Sequence, residues 1–212
     1  MNAGLLAGAL VTATSGTVFA QAGKIGDLPK VKEDGGKPLM AVLKQRRSTR
    51  EFANKPITAQ HLSNLLWSAF GVNRPSGDRT APTWRHIQFL DMYVAMPDGV
   101  WLYDSKAHKL LPVIADDVRA ETGTQAFVAT ASLNLVYVAR GDVMGDISDE
   151  EKRLWAACNT GFMAQNVYLY CASEGLGTVF RASVNRDRLA KTLKLPAQQF
   201  IVAAQSVGYP KA

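Results

Sequence analysis

The sequence has few of the residues that build metal sites and disulfide frameworks. Among its 212 residues there are two cysteines and three histidines. His61, His86 and His108 are widely spaced and form no HxH, HExxH or CxxC pattern, so no metal site is predicted. Cys158 and Cys171 fall thirteen residues apart in one predicted helix. A separation of about 20 Å along a helix is too long for a disulfide, so we predict two buried thiols.

Other absences narrow the class of protein. The net charge is +6, but the basic residues are scattered and do not alternate with aromatic residues as on a base-stacking surface, so no nucleic-acid partner is predicted. No GxGxxG follows a strand, and a Rossmann dinucleotide fold is therefore not supported. There is no low-complexity tract, and 47% hydrophobic with 20% charged residues is ordinary for a globular protein. The length suits one well-packed domain.

The first 22 residues differ in composition from the rest of the chain. Residues 5–11 form a short apolar run, and residues 18–22 offer small side chains at cleavage spacing, a pattern typical of a secretory signal peptide. The apolar run is too short to span a bilayer. Nothing between Met1 and Leu5 is positively charged. An alternative is therefore a disordered N-terminus or a misassigned start site.

From this pattern we expect a signal peptide at residues 1–22, a leader rich in Lys, Gly and Asp at residues 23–37, and one domain at residues 38–212. The protein would then be periplasmic or secreted. Without a signal peptide it would be cytoplasmic.

Hydrophobic spacing and capping residues predict two well-defined helices. Thr58 caps an amphipathic helix that ends at Gly71. Ser148 and Glu151 form a capping box at the start of the longest helix, which is predicted to extend to about Ser173. This second helix is apolar on most sides, so we expect it to be central or to lie at a subunit interface.

The remaining elements alternate between helix and strand without a repeat, which predicts a single α+β domain. Residues 133–139 are continuously apolar, as in a strand buried on both faces. Further helices are predicted at residues 38–46, 116–129 and 187–193, and strands at residues 87–95, 100–103, 109–113, 133–139, 178–181 and 200–207.

Residues 46–50 (RRSTR) form the densest basic group. If the segment after Arg46 is extended, alternate side chains lie on one side, and the guanidinium groups of Arg46 and Arg50 converge with the hydroxyl of Ser48. Such a donor-rich group suits a terminal phosphate. Arg47 would then face outward. A solvated basic helix end, favoured by the helix dipole, is an equally good interpretation of this segment alone.

Two further segments are informative only in combination. Residues 81–88 (APTWRHIQ) are a loop that enters a predicted strand with a large aromatic residue and a histidine. Residues 175–181 (GLGTVFR) follow the longest helix, where Gly175 suits a left-handed cap and Gly177 a tight turn into a strand. Each segment alone is typical of an ordinary structural connection.

The order of these segments resembles the nitroreductase family of FMN-dependent oxidoreductases over roughly residues 38–210. The hairpin at residues 99–110 is similar to that of the azoline dehydrogenase-like subgroup. The matching segments, in chain order, are the basic group at 46–50, the loop at 81–83, GFMAQN at 161–166, GLGTV at 175–179 and VGYP at 207–210.

The resemblance implies an α+β sandwich, with a central mixed or antiparallel sheet flanked by helices, that forms a homodimer with two FMN molecules at the subunit interface. Carried over by position, the phosphate and ribityl contacts fall on Arg46, Ser48 and Arg50. The loop lining the isoalloxazine contains Pro82, Thr83, Trp84 and His86, and the segment facing N5 contains Val179, Phe180, Arg181 and Ala182.

Several positions depart from the family pattern. His86 stands where the family often has an asparagine at the pyrimidine edge of the flavin. Arg181 and Ala182 replace a common Glu-Gly or Gly pair, and Arg181 either points inward near the flavin or faces solvent. Lys211 is the only remaining candidate for a C-terminal phosphate contact. The helical cover of the substrate pocket is absent or reduced between residues 116 and 132, which predicts an open pocket.

The implied activity is transfer of hydride or electrons from NAD(P)H to an organic acceptor, such as a nitroaromatic or quinone, in a ping-pong cycle. FMN carries the chemistry, while the protein supplies binding, orientation and electrostatics. Export would favour another reductant, because NAD(P)H is scarce outside the cytoplasm, or oxidation of the substrate instead. The alternative from another class is a non-catalytic module that binds FMN or a partner.

Overall fold

In a computed structural model of the chain, the structure describes residues 26–211. The predicted signal peptide lies outside the described residues. The described part contains β1 (Gly26–Asp27), α1 (Leu39–Gln45), α2 (Ala59–Phe70), β2 (Leu90–Met96), β3 (Gly99–Asp104), β4 (Lys109–Ile114), β5 (Leu133–Arg140), α3 (Asp149–Glu174), β6 (Gly177–Arg181), α4 (Arg186–Thr192) and β7 (Gln199–Gly208).

The strands of this region form one seven-stranded sheet in the order β1-β4-β3-β2-β5-β7-β6. Each pair of neighbouring strands is antiparallel. The interior strand β5, between β2 and β7, is buried along its length except at Arg140. Leu135 and Tyr137 join the apolar cluster beneath α2 and α3, while Val136 and Val138 join the cluster beneath α4. The predicted α+β sandwich is confirmed, and so is a strand buried on both faces.

The caps predicted for the two main helices are present. The Thr58 side chain accepts a hydrogen bond from the His61 N–H at the start of α2. Ser148 and Glu151 form both bonds of the capping box at the start of α3. α3 ends at Gly175, whose φ of 72° is left-handed, as predicted. Only one side of α3 is buried in the single chain.

Two predicted elements are wrong in form. Residues 116–129 make two short 3-10 turns, Arg119–Thr122 and Ala126–Ala129, instead of one helix. Gly123 is fully extended between them, which ends the first turn. The strand predicted from residue 87 begins at Leu90. Arg85 and His86 just before this segment have positive φ angles in a 3-10 turn. The Phe89 N–H then donates to the Ile87 carbonyl at 3.2 Å in a further tight turn, so residues 87–89 are not part of the strand.

Residues 26–37 pack on the domain. β1 pairs with β4, and the Asp27 carboxylate lies 3.2 Å from Lys109 Nζ. Ser63 Oγ donates to the Pro29 carbonyl at 2.6 Å. Within the part of the chain that the structure describes, no helix has the length and apolar character needed to cross a membrane.

The two thiols are free, as predicted. Cys171 is fully buried, and burial raises the pKa of its thiol. Cys158 is only half-buried in the single chain, so the prediction of burial is wrong for this residue. It lies on the side of α3 that carries the exposed residues Leu154 and Phe162.

Candidate functional site

A basic cavity of about 410 Å³ lies where α1 ends, beside the second half of α3 and the start of β6. Four of its lining residues are cationic, several others carry hydroxyl or amide groups, and none is a carboxylate. This donor set matches the needs of a phosphate group. The lining residues are Lys37, Lys44, Gln45, Arg46, Arg47, Thr49, Tyr168, Cys171, Ala172, Gly175, Leu176, Thr178 and Pro210.

Backbone pairing fixes the basic segment at this cavity. The chain leaves α1 at Arg46 in an extended conformation, with φ −56° and ψ 126°. The Thr49 N–H then donates to the Thr178 carbonyl at 2.9 Å, and Ser48 forms a parallel bridge with Thr178. Gly177 permits this approach, because a Cβ there would lie 2.7 Å from Thr49 Cγ2. The extended segment assumed from the sequence is therefore confirmed.

Tyr168 joins three parts of the site. Its hydroxyl lies 2.8 Å from Ser48 Oγ and accepts a hydrogen bond from the Phe180 N–H at 3.0 Å. The Arg46 guanidinium carbon lies 5.2 Å from the centroid of its ring. Sequence reasoning missed Tyr168, and it also missed Lys37 and Lys44. The available signal was a phenol hydroxyl in the second half of a largely apolar helix.

The side-chain orientations predicted for residues 46–50 are only partly reproduced. Arg46 lines the cavity, but so does Arg47, so the prediction that Arg47 faces away is wrong. The physical reason is that strand pairing begins only at Ser48, so the alternation of side chains does not extend back to Arg46. Ser48 and Arg50 are both exposed and neither lines the cavity, although the Ser48 hydroxyl contacts Tyr168, which does. The Lys211 side chain is also exposed, while its N–H donates to the Glu51 carbonyl at 3.0 Å.

The loop at residues 82–86 lies at the opposite end of α3. The ring of Trp84 stacks on Trp155, with centroids 5.5 Å apart. Thr83 Oγ1 accepts from Gln88 Nε2 at 3.3 Å. Pro82 and His86 are exposed.

The His86 ring is held at the protein surface by a carboxylate. Its Nδ1 lies 3.4 Å from a carboxylate oxygen of Asp78. Hydrogen bonds from Ser76 and from His86 lower the pKa of the Asp78 carboxyl.

One chain does not bring the two halves of the predicted site together. Trp155, against which the loop packs, and Tyr168, which binds Ser48, are thirteen residues apart on α3. At the helical rise this is about 20 Å.

The β6 segment presents its residues in different directions. Val179 is buried against Phe52 and Ala131, and Phe180 is 37% exposed, with its ring centroid 6.3 Å from that of Tyr137. Ala182 is exposed. Phe180 thus contributes an accessible aromatic surface next to Tyr168.

Arg181 does not face solvent, so that alternative from the sequence is wrong. It is 4% exposed, and its guanidinium donates to the Thr122 carbonyl at 2.8 Å and to Asn134 Oδ1 at 3.1 Å. Burial lowers the pKa of Arg181 to about 10, so the side chain remains protonated at neutral pH. Among the described residues, no group of three or more His, Cys, Asp or Glu could hold a metal ion.

Comparison with known proteins gives a consistent result. Residues 43–209 match the model of the nitroreductase family. A protein of Methanocaldococcus jannaschii, provisionally named a nitroreductase, is 30% identical over 178 residues, which are 79% of this chain and 88% of that protein.

Solved structures agree with the sequence comparison. A protein of Ralstonia eutropha JMP134, also provisionally named a nitroreductase, is 39% identical with a TM-score of 0.86, covering 98% of this chain and 97% of that chain. An NADPH:FMN oxidoreductase of Vibrio harveyi, solved with NAD⁺, shares the fold at 20% identity and a TM-score of 0.63, covering 82% and 69% of the two chains. The azoline dehydrogenase-like subgroup stays a prediction. The chain is an oxidoreductase that belongs to the nitroreductase family.

Proposed function

We propose that this protein is an FMN-dependent oxidoreductase that takes hydride from NAD(P)H, or electrons from another reductant, and passes them to an organic acceptor such as a nitroaromatic or quinone in a ping-pong cycle. The observation that carries the proposal is the basic cavity beside β6, where four cations and no carboxylate line the wall. Family membership supports a flavin as the redox group.

The residues that line the cavity, together with Ser48 and Phe180 beside it, fit FMN in charge and in hydrogen-bonding groups. Lys37, Lys44, Arg46 and Arg47 would neutralise a phosphate dianion through charge-assisted hydrogen bonds. The Ser48 hydroxyl, held by Tyr168, suits a ribityl hydroxyl, and the exposed ring of Phe180 offers an apolar surface to an aromatic ring system.

When bound, FMN supplies reversible hydride transfer at N5. The contribution of the chain is positional. Backbone groups of residues 179–182 would face the N5 edge of the flavin. The hydrogen bond from the Phe180 N–H to the Tyr168 hydroxyl fixes β6 relative to the basic cavity. Preorganised polar groups of this kind need little rearrangement during reaction.

A homodimer completes the proposed site. The loop at residues 82–86 lies about 20 Å along α3 from the Ser48–Tyr168 contact, so the loop of one subunit would serve the cavity of the other. Exposed apolar side chains favour a second copy as the covering partner. They lie on two helices, as Leu39, Met40 and Leu43 on α1 and Leu154 and Phe162 on α3.

A non-catalytic FMN-binding module is the second candidate. Two observations favour it: the Lys211 side chain does not line the cavity, and only two 3-10 turns stand where family members often carry a helical cover. We also propose export through the signal-like residues 1–22, which would favour a reductant other than NAD(P)H.

The test begins with the visible spectrum of the purified protein. A protein that is colourless and does not bind added FMN contradicts both candidates. Reduction of the bound flavin by NADH and by NADPH, followed by turnover with a nitroaromatic or a quinone, supports the enzyme. Bound flavin that no donor reduces supports the module.

A further inference from the structure

Arg181 is a buried cation whose partners are all neutral. Its side chain is 4% exposed. The guanidinium donates to the Thr122 carbonyl at 2.8 Å, to Asn134 Oδ1 at 3.1 Å and to Ser206 Oγ at 3.2 Å. Within residues 26–211 the ion pairs involve other residues, and no carboxylate lies within ion-pair distance of Arg181. A buried charge without a counter-ion is expensive, so its presence calls for an explanation.

The surrounding groups are oriented to accept from a guanidinium. Asn134 Nδ2 donates to the Val128 carbonyl at 2.7 Å, which turns Oδ1 toward Arg181. Ser206 Oγ donates its hydrogen to Asn134 Oδ1 at 2.6 Å and keeps its lone pairs for Arg181 Nε. Gly123 leaves room for the guanidinium, because a Cβ at this position would lie 2.0 Å from Arg181 Nη1. The pocket is therefore built for this one side chain.

Arg181 is the last residue of β6, the strand that borders the proposed FMN site, and its guanidinium lies on the face of β6 away from that site. Successive side chains of a strand point to opposite faces. The Phe180 ring approaches Tyr137 beneath α3, and the Phe180 N–H binds Tyr168 at the basic cavity. The Arg181 side chain points to the other face, toward Thr122. Its charge is thus one side-chain length behind the backbone that would face N5.

We propose that Arg181 sets the reduction potential of bound FMN by stabilising the reduced flavin through space. This inference rests on the proposed FMN function. Reduction adds two electrons and one proton, both delivered as hydride when NAD(P)H is the donor, and converts a neutral ring system into a monoanion at neutral pH. A fixed positive charge favours the anion, and burial protects this effect from dielectric and ionic screening. Arg181 therefore raises the potential.

The experiment compares the FMN-loaded full chain with two substitutions at this position. Arg181→Met removes the charge with little change in length, and Arg181→Lys keeps the charge. The two-electron midpoint potential of the flavin is measured at pH 7 by reductive titration with dithionite against a reference dye. Affinity for oxidised FMN is measured separately by flavin fluorescence.

Arg140→Met is a matched control. Arg140 pairs with Gln199 on β7, whereas Arg181 pairs with Ala204, so the two arginines are about 17 Å apart along that strand. Arg140→Met removes the same formal charge from a distant part of the sheet.

We expect Arg181→Met to bind oxidised FMN within a few-fold of the wild type. Relative to the wild type, the ratio of its Kd for reduced FMN to its Kd for oxidised FMN should rise about tenfold. This change corresponds to a fall of about 30 mV in the two-electron potential. Arg181→Lys should keep most of the potential, and Arg140→Met should change it by less than a third as much. An unchanged potential in FMN-loaded Arg181→Met, together with lower thermal stability, would show that Arg181 is only a structural clamp and overturn the proposal.

A second variant covers the case in which Arg181→Met does not fold. Asn134→Asp keeps the shape of the side chain and places an anion against the guanidinium. It should lower the potential in the same direction, and an unchanged potential in this variant also overturns the proposal. A wild-type protein that binds no FMN instead refutes the proposed function itself, so the two failures are distinguishable.

Discussion

The Tyr168 hydroxyl lies 2.8 Å from Ser48 Oγ, a contact that joins the second half of α3 to the segment leaving α1. The same hydroxyl accepts from the Phe180 N–H at 3.0 Å. One phenol group thus fixes the relative position of the basic segment and β6.

Tyr168→Phe is therefore expected to weaken FMN binding while leaving the fold intact. The substitution removes the acceptor of the Phe180 N–H and the partner of Ser48, and it keeps the ring beside Arg46. A loss of about 1 kcal/mol, or roughly fivefold in Kd, is typical for one hydrogen bond. Fluorescence titration with FMN measures it. Tyr93→Phe on β2 is the control, and equal Kd values in the two variants would contradict the role of Tyr168.

Arg46 and Arg47, which follow α1, are both expected to contribute to FMN binding. Arg46→Ala and Arg47→Ala should each weaken binding far more than Lys109→Ala, because Lys109 lies at β4 in an ion pair with Asp27. The loss should be about tenfold or more, since charge-assisted bonds to phosphate are the stronger kind. Retention of flavin through gel filtration provides the measurement. If Arg47→Ala behaves like Lys109→Ala, only Arg46 contacts the phosphate.

Phe162→Glu is expected to separate the proposed dimer. Phe162 is 47% exposed on α3, and a charge buried in an interface there would be strongly unfavourable. Sedimentation velocity should show a monomer that has also lost FMN. Val113→Glu substitutes an apolar residue of similar exposure, 39%, on β4 and should remain a dimer. A dimer that survives Phe162→Glu would place the interface elsewhere.

Gly177→Ala is expected to destabilise the fold by about 1–3 kcal/mol, as overpacking does. Its Cβ would lie 2.7 Å from Thr49 Cγ2. Thr49 Cβ would itself lie 2.8 Å away, so the matched substitution is Thr49→Gly, which removes the whole side chain, and the double variant should recover much of the lost stability. Chemical denaturation of the two single variants and the double variant gives the coupling energy. Additive losses would mean that the clash is relieved in another way.

Stability is expected to fall as the pH decreases below about 6.5. Burial lowers the pKa of His108, with a backbone hydrogen bond to Pro29 opposing the effect in part. His108 Nδ1 lies 2.9 Å from the Tyr103 hydroxyl and Nε2 lies 2.8 Å from Ser63 Oγ. A histidine whose pKa is lower in the folded state binds fewer protons there, so acid favours unfolding.

Thermal melts at pH 7 and pH 5 test this for the wild type and His108→Asn. Asparagine tolerates the positive φ of 52° at this position. The substituted protein should lose less stability between the two pH values. An identical loss would assign the pH dependence to other groups.

Most of the fold could be predicted from local signals in the sequence. The Thr58 cap, the Ser148–Glu151 capping box and the left-handed Gly175 all depend on residues close in the chain, and the structure reproduces them. The basic segment at residues 46–50 could also be placed after a helix, because its charge and its position in the chain are local properties.

The features that were missed depend on contacts between distant segments. Tyr168 acquires its role from Ser48, 120 residues away. The orientation of Arg47 depends on where the segment begins to pair with β6. The direction of Arg181 depends on acceptors at Thr122, 59 residues away. Spacing patterns within one element carry no information about such partners.

Both margins of the sheet are covered by short pieces of backbone. β1 occupies the outer side of β4 with two residues and an ion pair between Asp27 and Lys109. At the opposite margin, Ser48 and Thr49 occupy the outer side of β6. Exposed strand edges are templates for association with other chains, and short or charged covering strands prevent it. The pairing that presents Arg46 and Arg47 to the cavity therefore also protects this sheet against edge-to-edge aggregation.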